Sequence, residues 1–356
     1  MPKRNFLAGG FPRGRAGGSG YGTGMTAPSS TLAVAVSNIA NIYVRSYPWS
    51  NSRGFRYAVD NPGTLPTGTG NAIAFSPDGF FVAVAHDTSP YLSVYPWGIN
   101  GFGTKVADPS SLPAGNGNGV KFSPNGKSII LAHATTPFVT AYEWSSSGFG
   151  TKYPNPSTLP GSTGNAVAFS PDSRFVAVAN ISTTSIIAYP WSESGFGTAI
   201  TTAEDPAGQG RGVAFSPAGD FIAVVSSTTP FVFAYPWSSA GFGSRVADPA
   251  SLPLATSSGV AFSPAGDYIA VSHNTTPFVS VYPWNGTFGT KVTDPVTPPA
   301  GNALAIAFSL DGLFLAIGHS TNPRISVYNW AAGFGAKIDD PITLPTSNVT
   351  GVAWHS

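Results

Sequence analysis

The stretch GNAIAFSPDGFFVAVAHDTSPYLSVYPWGINGFGTKVADPSSLP, from Gly70 to Pro113, carries the pattern that decides the fold. It divides into four short segments, NAIAFS, FFVAVAH, YLSVYPW and GTKVAD. The first ends at Pro77-Asp78-Gly79, whose residue types suit a tight hairpin turn. The second is almost continuously apolar and β-branched, which is typical of an inner strand covered on both faces. The stretch therefore predicts one four-stranded unit, whose polar fourth strand, GTKVAD, follows a kink at Gly101-Phe102-Gly103.

This unit recurs along the chain at the spacing of propeller blades. Tyr-x-Trp triplets that mark the third strand end at Trp49, Trp97, Trp144, Trp191, Trp237, Trp284 and Trp330, 46 to 48 residues apart. Residues 32–59 match only the second, third and fourth strands, and Val349–Trp354 matches the missing first strand. The sequence thus predicts an all-β, seven-bladed β-propeller of four-stranded blades. The C-terminal strand would complete the N-terminal blade and close the ring.

Residues 1–30 lie outside the repeat and predict a separate arm in front of a propeller of residues 31–356. The segment holds eight glycines, four cations and no acid. Such a composition favours an extended, Gly-rich basic arm that gains order by binding a partner. The predicted partner-binding residues of the arm are Lys3, Arg4, Phe6, Leu7, Phe11, Arg13, Arg15 and Tyr21.

Composition excludes several classes of function. Charged residues make up 9% of the chain and the net charge is +1, so no strong field favours nucleic acid. The absence of cysteine excludes disulfides, thiolate chemistry and cysteine-ligated zinc. No apolar run approaches the ~18–20 residues of a membrane span, so we predict no membrane insertion.

Charged residues recur at two positions of the unit. A cation occupies the fourth strand in six units, and we expect it to protect an exposed edge, with an anion-binding basic ring as the alternative. These cations are Arg56, Lys105, Lys152, Arg245, Lys291 and Lys337, and Ala199 is the exception. An aspartate before proline recurs in the loop between blades, where we expect it to cap its own turn. These aspartates are Asp108, Asp205, Asp248, Asp294 and Asp340.

Histidine and tryptophan also recur at fixed positions. Four histidines end the second strand, namely His86, His133, His273 and His319, and Asn180, Ser226 and Ser37 fill the remaining units. Because equivalent positions lie a whole blade apart, we predict hydrogen bonding there and no metal site. For the Tyr-x-Trp tryptophans we predict core packing, with sugar binding as the alternative. No unit gathers unusual polar residues, so we predict no catalytic site and no cofactor.

The turn sequences FSPDG, FSPNG, FSPDS, FSPAG and FSLDG resemble those of WD-repeat propellers, as does the aromatic-Trp end of the third strand. The resemblance covers residues 31–356, but Tyr-Pro-Trp stands in place of the Trp-Asp dipeptide. The combination of YPW, GFGTK and ADPxSLP in near-identical copies is similar to WD-like repeat proteins encoded by tailed bacteriophages. That resemblance implies a virion component rather than an enzyme.

These observations predict a non-enzymatic structural virion protein of a tailed bacteriophage. It would be a capsid decoration or tail-associated propeller, anchored by its arm to other virion proteins after assembly in the host cytoplasm. The alternative is a receptor- or glycan-binding propeller that uses inter-blade loops such as DPSSLPAGNGN. A propeller enzyme, such as a lactonase or glycosidase, is a third hypothesis. It is disfavoured because such enzymes usually need clustered carboxylates or a central metal.

Overall fold

A computed structural model describes the backbone of residues 31–36 and, with their side chains, residues 43–355. Within these ranges the chain forms β-strands and no helix, so no helix there could cross a membrane. The predicted arm, residues 1–30, lies outside the described residues.

The strands, grouped by sheet, follow one another in chain order. The first group is β1 (Thr31–Val36), β2 (Val44–Ser50) and β3 (Gly54–Phe55). The second is β4 (Gly70–Phe75), β5 (Phe81–His86), β6 (Leu92–Gly98) and β7 (Gly101–Phe102). The third is β8 (Gly117–Phe122), β9 (Ser128–His133), β10 (Val139–Ser145) and β11 (Gly148–Lys152). The fourth is β12 (Gly164–Phe169), β13 (Phe175–Asn180), β14 (Ile186–Ser192) and β15 (Gly195–Phe196).

Three groups and a final strand complete the described chain. The fifth group is β16 (Gly210–Phe215), β17 (Phe221–Ser226), β18 (Val232–Ser238) and β19 (Gly241–Phe242). The sixth is β20 (Ser257–Phe262), β21 (Tyr268–His273) and β22 (Val279–Pro283). The seventh is β23 (Ala303–Phe308), β24 (Phe314–His319), β25 (Ile325–Trp330) and β26 (Phe334–Lys337). The last strand, β27 (Val349–His355), pairs antiparallel with β1 of the first group.

The architecture is an all-β propeller of mainly four-stranded antiparallel blades, as predicted. Six sheets have four strands and one, β20-β21-β22, has three. The first strands of successive sheets contact one another, and β27 contacts both β23 and β4. The inner strand, next to the axis around which the sheets are arranged, is therefore β27 in the first sheet and the first strand in each of the other six.

The prediction of four strands fails for the sheet of β20 to β22. Its connection after Trp284 reaches Phe288 in four residues, whereas Trp237 and Phe242 are five residues apart. Trp284 and Phe288 consequently form an isolated bridge instead of a strand pair. The same four-residue spacing from Trp330 to Phe334 still gives a paired strand, because Asn329 precedes Trp330. Pro283 precedes Trp284 and has no N–H to donate, so the short turn and the proline together limit the pairing to one bridge.

The fourth strands also begin earlier than predicted. In most sheets the strand is the Gly-Phe pair itself, such as Gly101–Phe102, and the GTKVAD segment lies beyond it. Proline explains this, because Pro96 has no N–H to donate to the outer strand. Where Glu143 or Asn329 replaces this proline, the fourth strand extends to five or four residues, in β11 and β26.

The repeated tryptophan joins neighbouring sheets. Trp144 packs edge-to-face on Phe149 of its own sheet and on Phe81 of the preceding one, with ring centroids 5.1 Å apart in both pairs. Trp237 and Trp284 repeat this arrangement. All seven Tyr-x-Trp tryptophans are buried, which confirms the predicted core packing. Edge-to-face aromatic pairs are worth about 0.5–1.5 kcal/mol beyond the area they bury.

The tyrosine of the triplet ties the third strand to the loop that precedes its sheet. The hydroxyl of Tyr142 donates to the carbonyl oxygen of Ser111 at 2.6 Å. The equivalent bond is made by Tyr47, Tyr189, Tyr235, Tyr282 and Tyr328. Tyr95 is the exception, since its buried hydroxyl has no hydrogen-bond partner in the described structure.

This contrast predicts opposite effects of one chemical change. Tyr142→Phe removes a hydrogen bond and leaves the Ser111 carbonyl unpaired, so we expect the free energy of unfolding to fall by about 1–2 kcal/mol. Tyr95→Phe removes a buried hydroxyl that has no partner, so the free energy should stay unchanged or rise. Urea unfolding of both variants measures the difference. Equal losses in the two variants would contradict the assignment.

Candidate functional site

The recurring histidines lie inside separate sheets and form hydrogen bonds. His86 Nε2 lies 3.0 Å from Ser93 Oγ, and His133 Nε2 lies 2.9 Å from Thr140 Oγ1. His273 and His319 make the same contact with Ser280 and Ser326. Among the described residues, no group of three His, Asp or Glu side chains could hold a metal ion. The structure therefore places these histidines in the hydrogen-bonding role expected of them.

Burial determines the ionisation of these histidines. All four are fully buried. Loss of solvation disfavours the imidazolium and lowers the pKa of His86, His133, His273 and His319 from 6.5 to about 4. The folded protein consequently holds these four side chains neutral at pH values where an unfolded chain protonates them.

This shift predicts that stability depends on pH in one window. Because each pKa is lower in the folded state, the contribution to stability is complete above pH 6.5 and is lost as pH falls toward 4. Each histidine lowers the free energy of unfolding by up to about 1.4 kcal/mol per pH unit. Unfolding of His319→Asn should show a shallower slope than the wild type below pH 6.5, since Asn180 occupies the equivalent position. Identical slopes would contradict this.

The loop aspartates stabilise the outer edge through a different bond from the one predicted. Asp108 pairs with Lys105, and Asp294 pairs with Lys291, three residues earlier in each case. Arg245–Asp248 and Lys337–Asp340 are equivalent pairs. In these four units the fourth-strand cation binds the loop carboxylate. Lys152 instead donates to Asn155 Oδ1 at 3.1 Å. Five of the six cations are thus engaged with the following loop, which disfavours the alternative of an anion-binding basic ring.

A polar ring lies at one end of the central channel. A cavity of about 180 Å³ at this end is lined by residues of all seven inner strands. The polar ring consists of the second residue of each inner strand. Six of these residues are polar, namely Asn71, Asn118, Asn165, Arg211, Ser258 and Thr350, and the seventh is Leu304. The Asn71 amide donates to the Gly117 carbonyl of the next sheet at 2.9 Å. A Cβ at Gly117 would lie 2.6 Å from the Tyr91 carbonyl oxygen of the neighbouring sheet, so glycine permits the two sheets to approach closely at this point.

The polar ring is asymmetric. Asn118, Asn165 and Thr350 make the same inter-sheet bond as Asn71, to Gly164, Gly210 and Gly70. Arg211 instead makes only a long side-chain contact, 3.5 Å to Gln209 Oε1, and its side chain is exposed. Four of the seven ring positions therefore bond to the next sheet through an amide or a hydroxyl, and Arg211 adds a cation at one of the other three. This corrects the expectation that no unit carries unusual polar residues.

Lys121 is the second departure from symmetry. It lies on β8, where the six equivalent inner-strand residues are Ala74, Ala168, Ala214, Ala261, Ala307 and Ala353. It lines both the polar-ring cavity and a second cavity of about 580 Å³ at the opposite end of the channel. The side chain of Lys121 is exposed to the channel rather than to the outer surface of the protein. The surrounding protein reduces its solvation, and this lowers the pKa of Lys121.

The channel lining is poor in acids. Among the described residues, the polar-ring cavity is lined by Lys121 and Arg211 and by no carboxylate. In the part of the chain that the structure describes, one acid lines the larger cavity, namely Asp78. Its carboxylate accepts hydrogen bonds from the Ser76 hydroxyl at 2.5 Å and the Phe80 amide at 3.1 Å. Two cations without a partner carboxylate attract an anionic ligand. A lysine amine with a lowered pKa can also accept a proton.

The sequence contained the signal for this site, but the prediction missed it. Aligning the repeats at the FSPDG turn shows lysine once and alanine six times at the Lys121 position. The predicted site residues of the arm, from Lys3 to Tyr21, lie outside the described residues, so their partner-binding role stays a prediction.

Comparison with solved structures identifies the fold. A protein of Bacteroides uniformis, provisionally named a 6-phosphogluconolactonase, matches 92% of this chain and 100% of its own with TM-score 0.70 and 17% identity. A similarly named protein of Bacteroides fragilis matches 92% of this chain and 98% of its own with TM-score 0.71 and 14% identity. The periplasmic gluconolactonase of Pseudomonas aeruginosa matches 92% of this chain and 99% of its own with TM-score 0.68 and 13% identity.

No protein-family model matches the sequence, and a search of curated proteins finds no match. At these identities the structural likeness shows the fold, a propeller like those of proteins named as lactonases. The prediction of a non-enzymatic virion protein is overturned by these named neighbours. The repeat motifs on which that prediction rested form the blades, whereas two single departures from the repeat, Lys121 and Arg211, line the channel.

Proposed function

We propose that this protein is a lactonase-like hydrolase that binds an anionic lactone in its central channel. The observation that carries the proposal is Lys121, a lysine with a lowered pKa in a channel where its six counterparts are alanine. Support also comes from the fold, because the neighbours include proteins named as gluconolactonase and 6-phosphogluconolactonase.

The proposed chemistry requires one base and one anion-binding group. Lys121 in its neutral form takes a proton from water as the water oxygen adds to the lactone carbonyl carbon. The ring C–O bond then breaks, and the Lys121 ammonium returns the proton to the leaving alkoxide. The product is a hydroxy acid, which ionises at neutral pH and releases a proton to the solvent.

Arg211 would select the substrate. Its exposed guanidinium lines the same cavity as Lys121, and such a group binds carboxylate or phosphate oxygens in a bidentate manner. The amides of Asn71 and Asn118 also line this cavity, and their oxygens take no part in the inter-sheet bonds described above. These oxygens offer acceptors for substrate hydroxyls. We therefore expect a phosphorylated or carboxylated sugar lactone to be preferred over a neutral one.

Lactone hydrolysis measured by acid release tests the proposal. We expect wild-type protein to hydrolyse 6-phosphogluconolactone faster than gluconolactone, above the spontaneous rate. Lys121→Ala, which introduces the residue of the other units, should lower kcat about a hundredfold or more. Lys127→Ala is the matched control, since Lys127 forms an exposed ion pair with Glu193 and should keep its rate within about twofold. Rates equal to the spontaneous reaction for wild type, or an unchanged rate for Lys121→Ala, would refute the proposal.

We also propose that all seven sheets form one closed ring, with the three-stranded sheet as a full blade and β27 completing the first. The pairing of Val352 with Val34 and the contacts of β27 with β4 and β23 support this. Such closure would remove unpaired edges from the inner strands.

Ring closure predicts that one change in β27 weakens the whole propeller. Val352→Pro removes a backbone N–H from this strand, so we expect the entire tryptophan near-UV signal to melt several degrees earlier in one transition. Val296→Ala, at a fully exposed loop residue, is the control and should leave the midpoint unchanged. An unchanged midpoint for Val352→Pro would contradict closure.

A further inference from the structure

The larger cavity, at the end of the channel opposite the polar ring, has the size and the walls of a small-molecule site. Its volume of about 580 Å³ lies within the ~300–1,000 Å³ of ligand pockets. The sheets of β4, β8 and β23 and the strand β27 all contribute to its lining. Its large apolar side chains are Phe75, Phe122, Phe308, Leu310 and Trp354.

The aromatic walls of this cavity are held in place by the propeller itself. Phe122 packs edge-to-face on Trp144 with ring centroids 5.2 Å apart. The indole N–H of Trp354 donates to the carbonyl oxygen of Ala307 in the neighbouring sheet at 3.2 Å. Because these rings are fixed without a ligand, a ligand that packs between them orders few side chains on binding.

Most polar groups in the lining are already hydrogen-bonded within the protein. The Ser76 hydroxyl donates to Asp78 at 2.5 Å and accepts from the Phe81 amide at 3.0 Å. His355 forms a hydrogen bond with the backbone of Gly79. These bonds leave few groups for the many hydroxyls of a sugar, so the larger cavity is better suited to an apolar ring.

Lys121 is the exception among the polar side chains of the lining. It makes no hydrogen bond or ion pair with the residues that the structure describes. Its equivalent in the second sheet is Ala74, four residues before Asp78. Two strand residues span about 7 Å, so the step from Ala74 to Ser76 alone separates the level of Lys121 from the turn that holds Asp78. The cation therefore lies further into the channel than the carboxylate.

We propose that the larger cavity binds an aromatic carboxylate, whose ring packs among Phe75, Phe122 and Trp354 and whose carboxylate pairs with Lys121. The ring covers apolar walls that offer few hydrogen-bonding groups. The carboxylate gives Lys121 a charged partner that the described residues do not supply. A neutral ring would fill the walls but leave the cation unpaired, and a small anion would do the reverse.

Such a ligand would compete for the amine on which the proposed hydrolysis depends. Lys121 lines both cavities, whereas Arg211 lines the polar-ring cavity alone. A carboxylate beside Lys121 favours the ammonium form, which cannot accept a proton from water. An aromatic carboxylate would therefore inhibit the enzyme from the side opposite Arg211. Its binding stands on the cavity lining and does not depend on lactone hydrolysis.

Calorimetric titration of the full chain with 3-phenylpropanoate tests the binding without any lactone. The amide 3-phenylpropanamide keeps the ring and removes the charge, and acetate keeps the charge and removes the ring. We expect 3-phenylpropanoate to bind one site per chain, at least about tenfold more tightly than either control compound. Undetectable binding of 3-phenylpropanoate, or equal affinities for the carboxylate and the amide, would overturn the proposal.

Two variants that each remove one channel cation locate the ligand. Lys121→Ala and Arg211→Asn introduce residues that other units carry at the same positions, so both propellers should fold. We expect Lys121→Ala to weaken 3-phenylpropanoate binding at least about tenfold. Arg211→Asn should keep the affinity within about twofold, since Arg211 does not line this cavity. An equal or larger loss in Arg211→Asn would place the ligand at the polar ring and overturn the proposal.

A second pair of variants tests the apolar wall. Leu310→Ala shortens a side chain that lines the cavity, and we expect it to weaken 3-phenylpropanoate binding about threefold or more. Leu254→Ala is the matched control, because Leu254 is also 58% exposed but does not line the cavity. Calorimetry of both variants gives the comparison. Equal affinities in the two variants would contradict the placement of the ring.

Discussion

Edge-to-face packing of the Tyr-x-Trp tryptophan is the interaction on which the rest of the structure depends. Trp144 shows why, because one indole contacts Phe149 in its own sheet and Phe81 in the preceding sheet. The same residue therefore fixes the outer strand and the distance to the neighbouring sheet. Tyr142 adds a hydrogen bond to the loop between the two sheets. Repeating this arrangement places the inner strands side by side around one channel.

Near-identical repeats make three single departures in the sequence visible. Lys121 replaces alanine, Arg211 replaces asparagine, serine, leucine or threonine, and Leu310 replaces proline. None of the three is needed to form a sheet, because the other units form their sheets with a different residue at the same position. The first two bring positive charge into a channel with little acid in its lining. The third adds an apolar surface at the opposite end.

The recurring polar residues, by contrast, belong to the fold. The His86–Ser93 contact lies inside one sheet, and the Lys105–Asp108 pair ties an outer strand to the following loop. Their regular spacing reflects a requirement that every blade shares. A residue that serves every blade equally places its chemistry at separated positions around the ring, where it cannot converge on a ligand.

By itself the sequence determined the repeat, the strand pattern and the burial of the aromatic residues, because apolar periodicity and turn residues act locally. It also held the reason for the short fourth strands, since Pro96 lacks an N–H whereas Glu143 has one. Only the tertiary structure decided that Lys121 and Arg211 line one cavity, and that the larger cavity opens beside the start of β1. These residues come from different sheets, and their shared surroundings arise only when the inner strands pack around the axis.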